Sequence, residues 1–149
     1  MIEEQIKITG DVEIVLTGKD GKVKTTRKIK NLVLTSGKTF IAASMLKTTT
    51  NSPVAMSHMA IGQGTTAAAV GNTGMENQLG RVALASASSS GAVVTYTAVF
   101  PAGTGTGPVT EAGILNNSSG GDMVCRTVFA VVNKGSDDAM SITWTVTVS

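Results

Sequence analysis

Four consecutive residues, Ser36-Gly37-Lys38-Thr39, form the most specific chemical signature in the chain. Gly-Lys-Thr at the start of a helix resembles the end of a phosphate-binding loop, where backbone N–H groups and the lysine hold a nucleotide's phosphates. The complete motif needs another glycine five positions before Gly37, and this chain has Leu32 there. No parallel βαβ pattern surrounds the segment either. We therefore interpret it as the N-terminal end of a helix with Ser36 as its N-cap.

The other residue types that catalyse reactions or bind metals are scattered. The chain has one histidine, His58, and one cysteine, Cys125, too few for a zinc site. A nucleophile–base dyad of these two is an alternative, but both stand in apolar runs that favour packed, inert side chains. Glu111 and Asp122 are isolated carboxylates with no partner for acid–base work. The sequence thus predicts a non-enzymatic protein without cofactor or metal.

Several closely spaced glycines occur in the middle of the chain. The Gly-x-Gly pairs at 62–64 and 103–107 do not open a helix within a βαβ unit, so we interpret them as turns that need positive φ rather than dinucleotide sites. Thr73 and Glu76 have the spacing of a capping box, and Gly80 could end the helical turn that this predicts.

Composition indicates one mainly β domain. The chain has 149 residues, 17 of them glycine, with 42% hydrophobic, 15% charged and 3% aromatic residues. The sparse aromatics and the mild net charge of +2 argue against nucleic-acid binding. No apolar run reaches the length of a membrane span, and the N-terminus does not resemble a signal peptide. We therefore expect synthesis in a cytoplasm, or in a host's cytoplasm.

The hydrophobic pattern divides this single domain, 1–149, into three parts. Residues 5–17 alternate, an Asp20-Gly21 turn follows, and the chain returns through residues 23–34. This pattern predicts an N-terminal hairpin or arm over residues 1–34. Residues 36–47 predict a short helix, and 54–149 a β body. We expect about eight strands in a β-sandwich or jelly roll. Beyond the hairpin, the predicted strands are 54–62, 81–88, 92–100, 109–116, 122–132 and 140–148.

Basic residues concentrate in the hairpin. Residues 1–47 contain nine of the 12 lysines and arginines and carry a net charge of +4, whereas the rest of the chain carries −2. One interpretation is an edge strand that lysines protect from aggregation. The other is a surface that contacts an acidic partner. The candidate contact residues are Lys19, Lys22, Lys24, Arg27 and Lys28.

Five segments, taken in order, resemble the small virion proteins of tailed bacteriophages. Those proteins carry stretches such as KNLVTTAGKNFIA, aIGtGTTa, EnelgR, iTEAGlf and pinK…ltvtWtitf. The corresponding residues here are 28–42, 59–67, 76–81, 109–115 and 130–146. Each segment alone is a weak match, but together they occur in order from residue 28 to residue 146.

The resemblance implies a β-sandwich, of the jelly-roll type, without enzymatic residues. It implies a capsid decoration (cement) protein on the outer surface of the phage head, bridging major capsid protein subunits. We expect a homo-oligomer, with a homotrimer as the expected form. Two alternatives stay open: a tail adaptor or fibre-base protein of the virion, and a carbohydrate- or ligand-binding β domain.

Overall fold

The computed structural model describes residues 6–45 and 53–149 of the chain. Among these residues it contains nine β-strands and one α-helix. In chain order they are β1 (Ile8–Thr17), β2 (Val23–Val33), α1 (Thr35–Ser44), β3 (His58–Gly62), β4 (Gln78–Ala83), β5 (Ser86–Ser90), β6 (Val93–Phe100), β7 (Gly107–Leu115), β8 (Met123–Lys134) and β9 (Ala139–Val148). The mainly β class, the hairpin and the helix were predicted correctly from the sequence.

All nine strands belong to one curled antiparallel sheet, in the order β4-β3-β7-β8-β2-β1-β9-β6-β5. The connection between β2 and β8 is short, because only Leu32 and Val33 pair with Arg126 and Cys125. The sheet therefore consists of two halves, β4-β3-β7-β8 and β2-β1-β9-β6-β5, that curl around a shared core.

The N-terminal hairpin follows the alternation of its residues. Val12, Ile14 and Leu16 on β1 are almost completely buried, while the residues between them face outward. Gly21 in the turn has φ of +80°, the left-handed conformation that glycine adopts without strain. β1 and β2 pair antiparallel over nearly their whole length.

The predicted strand 81–88 is two strands. β4 ends at Ala83 and β5 begins at Ser86, and they lie at opposite ends of the sheet order. Between them the N–H of Leu84 donates to the Ser57 carbonyl, and the N–H of Ala85 donates to the Thr97 carbonyl. The chain thus changes from one half of the sheet to the other within two residues, Leu84 and Ala85. Nothing in these apolar side chains indicates the change. The strand count is nine rather than eight for this reason.

Helix α1 begins one residue earlier than predicted, and its N-cap is Leu34, which makes no side-chain hydrogen bond to the helix. Ser36 is therefore not the cap; its hydroxyl donates to the Met123 carbonyl at 2.6 Å. Gly37 is buried directly against the backbone of Val124, where a Cβ atom would overlap the carbonyl oxygen. These contacts fix the helix to the β8 strand. Residues 46–47 of the predicted helix lie outside the described residues.

Trp144 lies at the centre of the core and is fully buried. Its indole Nε1–H donates to Asn31 Oδ1 at 3.0 Å. Asn31 pairs with Gly10 across the β1–β2 hairpin, and its amide occupies the space that a side chain at Gly10 would fill. Gly10 is therefore required for space and not for backbone conformation.

We predict that Gly10→Ala destabilises the protein by about 1–3 kcal/mol, the usual effect of overpacking a core, because the new methyl group displaces Asn31 from Trp144. Urea unfolding measures the change, and tryptophan fluorescence reports the altered environment of Trp144. Gly71→Ala is the matched control, since no atom lies within 4 Å of a Cβ built there. Equal stability of the two variants would contradict the prediction.

Candidate functional site

The five predicted partner-contact residues do not form one patch. Lys19 and Lys22 are exposed at the tip of the β1–β2 hairpin, on either side of the Asp20-Gly21 turn. Arg27 pairs with Ile14, which is fully buried, so Arg27 lies on the core-facing side of the hairpin and is half-buried. Lys28 lies on the opposite, outer face.

Acidic residues offset much of the positive charge along β2. On the outer face Lys28 pairs with Glu13 across the hairpin, and Lys30 forms a salt bridge with Asp11 at 2.5 Å. Both residues of that salt bridge are largely exposed, so the pair contributes little to stability. The outer face of the hairpin is therefore mixed in charge, and the positive charge that extends furthest from the sheet is at the tip.

Lys24 connects the hairpin to the β8–β9 turn. Its Nζ lies 3.1 Å from both carboxylate oxygens of Asp138, which also accepts the N–H of Gly135 at 2.8 Å. The Gly135 N–H and the Lys24 ammonium together lower the pKa of Asp138. The neighbouring Lys134 is buried and donates to the carbonyls of Pro101 and Asp138, and desolvation lowers the pKa of Lys134. Lys24 thus has a structural partner within its own chain.

We predict that acid weakens the fold through Asp138. A carboxyl group with a lowered folded-state pKa stabilises the fold above its unfolded pKa of about 4, and this contribution is lost as pH falls through the folded pKa. Asp138→Asn should therefore be less stable than the unsubstituted protein at pH 7, and the difference should shrink below about pH 4. Urea unfolding across this pH range measures it. Asp137→Asn, at an exposed neighbour, is the control and should follow the stability curve of the unsubstituted protein. An Asp138→Asn curve that runs parallel to the unsubstituted curve at every pH would contradict the prediction.

A second cluster lies on the other half of the sheet, around a buried ion pair. Glu111 on β7 and Arg126 on β8 are 0% and 1% exposed. Glu111 Oε2 accepts hydrogen bonds from Arg126 Nη2 at 2.7 Å and from Nε at 3.2 Å. Both residues share a sheet face with Ala60 and Leu115, away from the main core. The pair is therefore covered by something other than the sheet.

The cover is the long loop between β3 and β4, residues 63–77. Glu111 accepts the N–H groups of Glu76 at 3.2 Å and Asn77 at 2.9 Å. Arg126 Nη1 donates to the Thr66 carbonyl at 3.2 Å and to Asn72 Oδ1 at 3.0 Å. Apart from the bonds between them, Glu111 and Arg126 thus make their hydrogen bonds with the loop. These bonds hold the loop at both ends and in the middle.

Glu76 closes the loop from its exposed side. Its Oε1 accepts the N–H of Thr65 at 3.0 Å and of Thr66 at 3.3 Å. Hydrogen bonds from the Thr66 side chain and from the two N–H groups lower the pKa of Glu76. The predicted capping box was therefore wrong. Residues 73–77 form no helix, and Gly80 lies in β4, because the Glu76 carboxylate bonds to the earlier part of its own loop instead.

Glu111 lies against Gly62 and Gly64 and leaves no room for a side chain at either position. A Cβ at Gly62 would overlap the Asn77 carbonyl and Glu111 Oε1, and one at Gly64 would overlap Glu111 Oε2. Neither glycine has positive φ, so the turn interpretation was wrong for this pair. It was correct for Gly103, Gly105 and Gly107, whose φ angles are +87°, +69° and +145°.

The sequence interpretation of Glu111 as an isolated carboxylate was also wrong. The missed signal is that Glu111 and Arg126 each interrupt an otherwise apolar strand, and a charge on a strand buried on both faces needs an opposite charge nearby. Asp122 accepts a hydrogen bond from Asn116 Nδ2 at 3.5 Å, while its N–H donates to Asn116 Oδ1 at 2.7 Å. Its contacts stabilise the turn between β7 and β8.

We predict that Glu111→Gln destabilises the protein by about 3–5 kcal/mol, because it leaves the Arg126 guanidinium buried without a countercharge. Chemical denaturation measures the loss, and limited proteolysis should find new cleavage within 63–77. Glu76→Gln, at an exposed carboxylate of the same network, should cost much less. Similar losses of stability in both variants would show that the buried charge is not the cause of the destabilisation.

His58 and Cys125 lie on opposite faces of the sheet. Cys125 pairs with Ile114, which pairs with Met59, and all three point into the core; His58, one residue before Met59, points the other way. Burial raises the pKa of the Cys125 thiol to about 12, with Asn31 opposing the shift. The thiol is buried as predicted. His58 is half-buried, and its Nδ1 lies 2.7 Å from the Ser57 hydroxyl.

Within residues 6–45 and 53–149, no three His, Cys, Asp or Glu side chains are grouped so that they could hold a metal ion. No helix there has the length and apolar character needed to cross a membrane. The comparisons with protein families, curated proteins and solved structures found no match to this chain.

Proposed function

We propose that this chain is a structural protein of a tailed-phage virion, of the capsid decoration type. It would bind the outer surface of the head and bridge neighbouring major capsid protein subunits, with no catalytic role and no cofactor. The observation that carries the proposal is the ordered resemblance of five segments from residue 28 to residue 146.

The contacts around Glu111 support giving weight to that resemblance. Three of the five segments supply Gly62 and Gly64, Glu76, and Glu111, which all lie in contact. These three segments therefore meet in one part of the structure, around Glu111. A chain that resembles the phage proteins in all three is expected to build the same loop anchor.

The shape of the protein suits attachment to a shell. The two halves of the sheet pack around one core, which is the basis for proposing the jelly-roll type of β-sandwich that the resemblance implies. The hairpin presents Lys19 and Lys22 at its exposed tip, where they are best placed to meet an acidic patch on the capsid. Lys28 is a further contact on the outer face. We propose a homotrimer as the assembled form, placed on the outside of the capsid.

The main alternative is a tail adaptor or fibre-base protein of the same virion. Quantitative mass spectrometry of purified particles distinguishes the two locations by copy number. Hundreds of copies per particle support the head, whereas a few rings of copies support the tail. Cryo-EM of the same particles gives the symmetry position directly.

A carbohydrate- or ligand-binding domain is the alternative from another functional class. Sugar sites use exposed aromatic rings, but Trp144 is fully buried and Tyr96 is half-buried, with desolvation raising the pKa of Tyr96. A rise in melting temperature with any glycan or nucleotide would favour this alternative over the structural role.

We predict that charge reversal at the hairpin tip weakens binding to undecorated heads. Lys19→Glu combined with Lys22→Glu should reduce the affinity roughly tenfold, and the affinity of the unsubstituted protein should fall as salt increases. Pelleting of heads with labelled protein at low and high salt measures both effects. Lys38→Glu is the control, because Lys38 is an exposed lysine on helix α1 rather than on the hairpin. Binding that is insensitive to salt and to both tip substitutions would contradict the electrostatic part of the proposal.

A further inference from the structure

Strand edges are the places where a sheet can add another strand. An edge presents unpaired N–H and C=O groups, and folded proteins usually protect it with charge, proline, a bulge or a cover. In the described part of the chain the sheet ends at β4 and β5. It also has interior edges where β2 and β8 diverge beyond their two paired residues.

Three of these edges carry a protective feature. β2 carries Lys24, Lys28 and Lys30 along its diverging part. β8 is bulged there: three of its residues, 129–131, lie between its pairs with Glu111 and Val109, and β7 has one residue in the same interval. β4 packs near β6 as the sheet curls, and its Arg81 donates to the carbonyls of Asn117 and Gly120 at 2.9 Å.

The β5 edge carries none of these features. Its residues are Ser-Ala-Ser-Ser-Ser, all five are exposed, and the strand pairs with β6 in an unbroken register. Its other edge pairs with no described strand. The surroundings are equally neutral, because residues 82–110 contain no Asp, Glu, Lys or Arg. None of these residues places a charge in the way of a further strand at this edge.

We infer that β5 pairs with β5 of a second copy of this chain, antiparallel about a two-fold axis through Ser88. Under this axis serine or alanine meets serine at every position, so no like charges and no bulky side chains oppose each other. A two-fold contact uses the same patch on both molecules, as most homo-oligomeric interfaces do.

The side chains of β5 also argue for a second copy over a different partner. Main-chain hydrogen bonds in an added strand provide affinity, while side chains in pockets provide specificity. β5 offers no charged or large side chain with which to select a foreign sequence. The neutral edge is instead complementary to itself, and pairing continues the sheet from one molecule into the next.

This inference does not depend on the location of the protein in a virion. The two-fold contact joins two copies, or two trimers if the chain also trimerises. Sedimentation equilibrium over a concentration series should therefore give a dimer or an even multiple of the chain mass. Binding to phage heads is a separate measurement, so failure of one proposal is distinguishable from failure of the other.

Ser88→Lys tests the edge directly. It places two like charges at the centre of the contact and should remove the dimer at concentrations where the unsubstituted protein is dimeric, with an unchanged circular dichroism spectrum. Ser141→Lys is the matched control, since Ser141 is exposed on the same sheet face but lies on the central strand β9. It should leave the dimer intact.

Ser88→Cys tests the register without adding charge. Directly opposed residues of antiparallel strands have Cα atoms about 4.5–5.5 Å apart, within the range of about 4.4–6.8 Å that a disulfide spans. Oxidation should therefore give a disulfide-linked dimer on a non-reducing gel, whereas Ser141→Cys should stay monomeric on the same gel. The native thiol of Cys125 is buried and does not compete.

The inference is overturned if the unsubstituted protein is a monomer, or a plain trimer, at every concentration. It is also overturned if Ser88→Lys leaves the dimer intact, or if Ser141→Lys removes it and thereby indicates stacking of sheet faces. A dimer in which Ser88→Cys does not cross-link overturns the two-fold register.

Discussion

The ion pair between Glu111 and Arg126 is the constraint on which one half of the molecule depends. Two opposite charges are fully desolvated on neighbouring strands, so hydrogen bonds must replace the water that each group has lost. The chain meets this demand by folding residues 63–77 over the pair. A loop rich in alanine, threonine and glycine, with little apolar surface of its own, acquires a defined path because buried charges need its backbone.

The same constraint explains where the sequence was informative and where it was not. Alternation on β1 and β9 reports burial of one face and predicted these strands well. β7 is buried on both faces, so its apolar run contains no information about what covers the outer face. The roles of Gly62 and Gly64 depend on a residue about 50 positions away, and local patterns cannot reveal a steric requirement of that kind.

The candidate partner surface was predictable in part. The sequence located the basic hairpin and its turn, because Asp-Gly after an alternating run is a strong local signal. It could not separate Lys24, which binds Asp138 from the other end of the chain, from Lys19 and Lys22 at the exposed tip. It also could not place Arg27 on the core-facing side, since that position follows from the pairing with Ile14.

The pairing of β1 with β9 sets the order in which this protein can be completed. Residues 8–17 lie beside residues 139–148, so the central strands of one half-sheet are joined across almost the whole chain. Contacts of such long sequence separation slow folding, because a large loop must close before they form. During synthesis the edges of β1 and β6 that face β9 therefore remain unpaired until β9 emerges. The exposed carboxylates of Asp11 and Glu13 place charge along the β1 edge during that interval.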